Sequence, residues 1–171
     1  MSYTFITGGA SSGKSGFAVN MFGDRKDVTF IATGLRTDTE MEQRISAHRA
    51  QRPPSWKTIE EPLDLISALK RADPAHEVVL IDCLTMWISN LLHMEKHSAQ
   101  EVIGEAEKVV SFLKSLEKTV VVVSNELGMG VIPPSAVGRE FRKIAGEVNQ
   151  LFARDSEAAY LVLSGLGLRL R

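Results

Sequence analysis

A mainly parallel α/β sheet flanked by helices is the architecture this sequence predicts, and three observations carry the prediction. Strand-like and helix-like segments alternate from end to end, the pattern of linked βαβ units. The first apolar run, residues 3–7, leads into GGASSGKS at 8–15 and then into a segment of helical spacing. The chain closes on two short apolar runs, 159–163 and 166–170, joined by Ser164-Gly165, which reads as a β-hairpin at a sheet edge.

The eight residues Gly8, Gly9, Ala10, Ser11, Ser12, Gly13, Lys14 and Ser15 fit G-x-x-x-x-G-K-[S/T] at every fixed position. The strand before and the helix after supply the context the motif needs. Glycine torsions fold such a loop into a nest of inward-pointing N–H groups, and the helix that follows adds its positive dipole end. Lys14 then reaches the β- and γ-phosphates of a nucleoside triphosphate, and the Ser15 hydroxyl is placed to ligate Mg²⁺.

The remaining elements follow in order. A first helix over 14–21 ends at Gly23-Asp24, and VTFIA at 28–32 reads as a buried strand. Thr33-Gly34 falls at that strand's carboxyl end, where α/β sheets present ligand-binding loops. A helix is predicted over 37–51, with Thr37 or Asp38 as cap and Pro53-Pro54 as stop. Along it Met41 and Ile45 form an apolar pair, while Arg44, His48 and Arg52 recur every four residues and share one edge if the helix persists to Arg52. A short extended piece at 55–60, a helix at 62–70, a buried strand at 77–82 and a largely buried helix at 84–92 come next. A polar bend occupies 94–99, and Val102, Ala106, Val109, Leu113 and Leu116 mark an amphipathic helix. TVVVVS at 119–124 is the most strand-like run of the chain. Gly128-Met129-Gly130 and Pro133-Pro134 shape a loop, and Ser135 caps a helix to about Arg154 with Val137, Phe141, Ile144, Val148 and Leu151 on one face.

Composition narrows the class. A length of 171 residues suits one core and one domain, spanning 1–171. Hydrophobic residues make up 44% and charged residues 24%, with a net charge of −1, so no broad nucleic-acid or membrane surface is expected. No apolar run approaches the ~20 residues of a membrane span, and no leader pattern opens the chain. A cytoplasmic protein is expected. The lone cysteine, Cys83, excludes an internal disulfide and a cysteine zinc cage and reads as buried filler.

Chemistry concentrates in a few places. Asp82, closing the strand Val78-Val79-Leu80-Ile81, is a Walker-B-like acid for Mg²⁺, held directly or through water. His48 lies between two arginines that attract phosphate and depress its imidazole pKa by like-charge repulsion. A neutral imidazole beside a phosphate clamp is what attack on phosphorus requires. Glu126, just beyond the TVVVVS strand, is a candidate general base. Arg139 and Arg142 are candidates either for phosphate neutralisation or for a solvated helix face. His76, His93 and His97 lie in polar connections and read as solvated.

The segments GGASSGKS, FIATG, RISAH-x-x-x-RP from Arg44 to Pro53, WKTIEEP, LIDCLTMWISNLL, VVSNELGMGVIP, REFRKIAGEVNQ and LVLSGLGLRL run in order along almost the whole chain. Together they resemble the bifunctional adenosylcobinamide kinase / adenosylcobinamide-phosphate guanylyltransferase family of cobalamin biosynthesis. The resemblance implies a RecA-like P-loop fold, a homotrimer with sites near subunit boundaries, and two reactions. In the first, ATP or GTP phosphorylates adenosylcobinamide. In the second, GTP transfers GMP to an enzyme histidine and then to adenosylcobinamide phosphate. The family's guanylylated histidine maps onto His48. Its guanine-nucleotide contacts map onto Thr33, Gly34, Leu35, Ala50, Gln51, Arg52, Pro53, Glu61 and Asp82. Two positions depart from the family: Ser11 stands where many members carry arginine, and Ala47 where some carry a second histidine. The competing readings are a RecA-like nucleotide-dependent switch or assembly module, and a small-molecule nucleoside or nucleotide kinase.

Overall fold

The structure, a computed structural model, describes residues 3–36, 39–50 and 52–171, without the side chains of Glu40, Met41, Arg44, Ala47 and His48. The elements in chain order are β1 (Tyr3–Gly8), α1 (Lys14–Asn20), β2 (Val28–Ala32), α2 (Thr39–Ala50), β3 (Lys57–Glu60), α3 (Leu65–Lys70) and β4 (Val78–Asp82). After these come α4 (Leu84–His93), α5 (Ala99–Ser115), β5 (Thr119–Asn125), α6 (Ala136–Asp155), β6 (Ala158–Leu163) and β7 (Leu166–Arg169). The strands form one seven-stranded sheet in the order β3-β2-β4-β5-β1-β6-β7. All pairings are parallel except β6–β7, so the predicted α/β class, flanking helices and edge hairpin hold. One strand, β5, separates the phosphate-loop strand β1 from the Asp82 strand β4, the order of a RecA-like P-loop sheet.

Because side chains alternate along a strand, each strand contributes to two cores. On one face Phe5, Ile31, Ile59, Ile81 and Val122 meet α3, α4, α5 and α6 through Leu65, Trp87, Val109 and Val148. On the other Ile6, Phe30, Leu80 and Val123 meet α1 and Trp56. No helix among the described residues is long and apolar enough to cross a membrane.

Several boundaries differ from the sequence reading, each for a local reason. The helix expected at 62–70 starts at Leu65, because the Asp64 carboxylate caps it by accepting the Ser67 N–H at 2.8 Å. The helix after the polar bend starts at Ala99 rather than near Val102, since Ser98 and Glu101 form a reciprocal capping box. In the extended piece only Lys57–Glu60 pairs; Trp56 instead closes a turn and donates its indole N–H to Arg25 O at 2.8 Å. The Ser135 cap holds, but the buried stripe of α6 is Ile144, Ala145, Val148, Asn149 and Phe152, and Val137 is 65% exposed. His76 is not merely solvated, as its Nδ1 lies 2.9 Å from the Oγ1 of the buried Thr29. The expected caps Thr37 and Asp38, and Gln51, lie outside the described residues.

Candidate active site

The loop from Gly9 to Gly13 turns on two left-handed residues, Ser11 (φ 56°) and Gly13 (φ 88°). Gly13 has a second reason to be glycine: a Cβ there would lie 2.9 Å from Gly165 Cα in the β6–β7 turn. That turn also donates the Gly165 N–H to Ser12 O at 2.8 Å. The edge hairpin therefore backs the phosphate loop. Lys14 is 8% exposed, and its Nζ donates to Gly9 O at 2.9 Å, so the ammonium lies along the loop it would share with a phosphate.

Above this loop opens a cleft of about 480 Å³, within the range of small-molecule sites. Strand parity sets its floor. Ala32 pairs with Glu60 on one side and Asp82 on the other, while Gly8 pairs with Asn125. Ala32, Glu60, Asp82 and Asn125 all line the cleft together with residues 10–16 of the loop and α1. Helix α2 closes the opposite side with Ile45 and Arg49, joined by Arg52 from the segment just beyond the helix, and Gly34, Cys83 and Met86 complete the wall.

Charge in the cleft is mixed and partly buried. The Arg52 guanidinium lies over the Phe30 ring, 3.4 Å from its centroid. Burial pulls its pKa below the usual range, and Arg49 acts in the same sense, while Asp82 and Glu60 oppose them. A cation held there at a desolvation cost is poised for a phosphate. Burial pushes the Cys83 thiol up to about 12, with the Asp82 charge adding to the effect. Cys83 packs against the smaller core, as a buried filler does, and also forms a protonated wall of the cleft. Its peptide with Asp82 is cis.

The expected contacts divide. Gly34, Arg52, Asp82 and the loop residues from Ala10 to Ser15 line the cleft. Thr33 stands behind it: fully buried, its Oγ1 donates to Cys83 O at 2.7 Å and accepts the Cys83 N–H at 2.8 Å. The Glu61 carboxylate is occupied elsewhere, accepting the Leu63 and Asp64 N–H groups at 3.1 Å each and pairing with Arg71 at 2.6 Å. Glu60, one residue earlier, is the acid of that pair that faces the cleft. Leu35 and Pro53 are half-buried and Ala50 is exposed, and none of the three lines the cleft. Glu126 turns its Oε1 back to the Gly128 N–H at 2.5 Å. Arg139 and Arg142 hold a loop rather than a free face: Arg139 donates to Pro133 O and Pro134 O, and Arg142 to Gly128 O at 2.7 Å. His48 and Arg44 sit on α2, with side chains outside the described residues, as is Gln51.

Sequence reasoning misses Arg49, Glu60, Met86 and Asn125. A usable signal exists for the first, since Ile45 and Arg49 stand at i and i+4, neighbours on one helix face. The apolar pairing of Ile45 with Met41 hides it.

Comparison with known proteins gives a consistent result. The family model described as cobinamide kinase / cobinamide phosphate guanyltransferase matches residues 4–170. The "Bifunctional adenosylcobalamin biosynthesis protein CobP" of Pseudomonas aeruginosa is 38% identical, with 97% of this chain and 95% of that protein covered. Two proteins named "Bifunctional adenosylcobalamin biosynthesis protein CobU", from Salmonella typhimurium and Escherichia coli, are 37% and 36% identical, each with 97% of this chain and 98% of its own length covered. With near-complete coverage and the phosphate loop, acid strand, Arg49 and Arg52 around one cleft, this chain belongs to the cobinamide kinase / cobinamide phosphate guanyltransferase family.

Proposed function

We propose that the chain is a bifunctional transferase of nucleotide-loop assembly. It phosphorylates adenosylcobinamide with ATP or GTP, then moves GMP from GTP through a guanylyl-histidine at His48 to adenosylcobinamide phosphate. The observation that carries this reading is the cleft itself. Its phosphate loop faces Arg49 and Arg52 of the RISAH-x-x-x-RP segment across a floor that ends in Asp82, so one nucleotide spans both halves.

In the guanylyl step an imidazole nitrogen of His48 attacks the α-phosphorus, the N–P bond forms, and the bond to the bridging oxygen of pyrophosphate breaks. The phosphate oxygen of adenosylcobinamide phosphate then displaces the histidine, giving adenosylcobinamide-GDP and free His48. Lys14, Arg49 and Arg52 stabilise charge on the phosphates. Gly34, Arg52 and Asp82, with Glu60 as the acid facing the cleft, hold the nucleotide; Thr33 and Glu61 support it from behind. Glu126 acts as base in the kinase step only after leaving the Gly128 N–H.

Ser15 and Asp82 both line the cleft with hard oxygen donors. They are too few for an all-protein cage but would suit Mg²⁺, a hard cation that takes oxygen ligands and is commonly held by one or two protein oxygens beside a phosphate substrate. When bound, the ion neutralises charge on the phosphates. We also read residues 1–171 as one catalytic domain working in the cytoplasm as a homotrimer. The single sheet supports the first point. The exposed Leu166, Leu168 and Leu170 of the edge hairpin, with Met129, Val131 and Ile132 of the loop before α6, supply apolar surface for the trimer.

Incubation with α-labelled GTP leaves acid-labile label on the protein, and His48→Ala abolishes it while retaining phosphorylation of cobinamide. Undiminished label in that variant would overturn the His48 assignment. A nucleotide switch would bind GTP and yield no corrinoid product.

A further inference from the structure

We propose that Asn125 contacts the γ-phosphoryl group during the kinase step, and that Thr85 and Asn149 are positioning residues acting through it. The proposal rests on the kinase activity inferred above.

Topology gives the first argument. Strand β5 lies between β1, which feeds the phosphate loop, and β4, which ends in Asp82. Its carboxyl end must therefore open between the groups that grip the phosphates and the acid beside them. Parity gives the second. Val121 and Val123 pack on the α1 face, so Asn125, two residues on, falls on that same face and lines the cleft. Ser124 is buried on the other side of the strand, against Thr85.

The hydrogen bonding gives the third. The Asn125 N–H donates to Thr85 Oγ1 at 2.8 Å, and its carbonyl accepts from Asn149 Nδ2 at 2.9 Å. Thr85 is further held by Ser124 Oγ at 3.3 Å. These partners come from α4 and α6, and Thr85, Ser124 and Asn149 are 6%, 0% and 7% exposed. The next peptide is tied as well, with the Glu126 N–H donating to Gly8 O at 2.8 Å. Buried polar side chains are costly unless bonded, and Asn149 Oδ1 has no partner among the described residues. A leucine at 149 would avoid that cost, so the amide is retained for what its Nδ2 holds. Meanwhile the Asn125 side-chain amide makes no hydrogen bond among the described residues. A backbone fixed from both sides, on a cleft-lining residue whose amide has no partner among the described residues, has the features of a preorganised donor.

Its role is to donate an N–H to a γ-phosphoryl oxygen. As the acceptor hydroxyl forms its bond to phosphorus, the bond to the β,γ-bridging oxygen breaks, and the hydroxyl proton passes to the base, Glu126 in the reading above. Asn125 itself takes no proton.

The test uses the full chain with GTP and adenosylcobinamide. It follows corrinoid phosphate formation, GTP affinity, and α-label transfer to the protein. Asn125→Ala should lower kcat of phosphorylation about 10²-fold, with GTP Kd within about threefold and protein labelling far less affected. Asn125→Leu, close in volume but unable to donate, should show the same split, which guards against a folding defect in the alanine variant. Asn149→Ala should lower kcat roughly tenfold alone and cause no further loss in the Asn125→Ala background, because it acts through the same group. A kcat within about threefold of the parent for both Asn125 variants, equal losses in both activities, or additive effects of the two alanines would overturn the proposal. Absence of corrinoid phosphate from the unaltered chain would instead overturn the proposed function.

Discussion

On one face of the sheet α3, α4, α5 and α6 bury a continuous core through Leu65, Trp87, Ile88, Val109, Val148 and Phe152. On the other, the smaller cluster rests on α1 and Trp56, and the carboxyl ends of β2, β4 and β5 stay uncovered as the cleft floor. The same strands supply both faces, yet one is filled with hydrocarbon and the other ends in Glu60, Asp82, Asn125 and a stacked arginine. Stability is concentrated on the first face, which leaves the second free to hold partly buried charges that a stability-optimised surface would not keep.

That contrast can be broken by experiment. The largest effect belongs to the packed face. Trp87 is 1% exposed and donates its indole N–H to Leu63 O, so Trp87→Ala should cost about 3–5 kcal/mol in denaturant unfolding. A loss under about 1 kcal/mol would show that the two faces are equally tolerant. Next comes Cys83. With its thiol pushed up to about 12 by burial, alkylation at pH 8 should run on the order of 10³-fold slower than for an ordinary cysteine, rising about tenfold per pH unit as thiolate forms. An ordinary rate would mean the cleft wall is wet.

Arg52 follows. The folded state disfavours its charge through burial, and arginine cannot escape by losing its proton, so the penalty persists across accessible pH. Arg52→Met should weaken GTP binding about tenfold or more while leaving the melting temperature unchanged or raised. A fall in both would reassign Arg52 to the structural side of the comparison. The smallest effect is the most discriminating. Glu60→Gln should weaken GTP binding by up to about tenfold at unaltered stability, and Glu61→Gln should lose roughly 1 kcal/mol of stability at little cost in affinity. The reverse pattern would move the cleft floor by one residue.

Much of this architecture is legible in the residues themselves. GGASSGKS names its own geometry because glycine torsions and a following helix leave few alternatives, and EVVLID and TVVVVS announce buried parallel strands through unbroken apolar runs. What stays hidden depends on register between strands distant in sequence. Glu60 and Glu61 are indistinguishable in WKTIEEP until pairing of Thr58 with Phe30 and Glu60 with Ala32 fixes which one faces α1. Asn125 and Glu126 pose the same ambiguity, and the acid draws attention for its chemistry while parity favours the amide. Helix α2 misleads for another reason: its cleft face carries Ile45 with Arg49, and Arg52 follows beyond its end, so no apolar stripe marks it. The roles of Arg139 and Arg142 are unreadable because their partners are backbone carbonyls, which no side-chain pattern records.

The contact between Gly13 and Gly165 has a consequence in time as well as space. The phosphate loop precedes Gly165, which backs it, by most of the sheet, so a ribosome delivers the loop well before its backing. Strand β1 likewise finds its neighbours only when β5 and β6 exist. Such distant pairings are formed late in folding. A nascent chain released short of residue 165 would therefore carry a complete GGASSGKS sequence with its backing missing. Nucleotide retention by stalled chains of increasing length should accordingly switch on abruptly, only after the hairpin clears the exit tunnel.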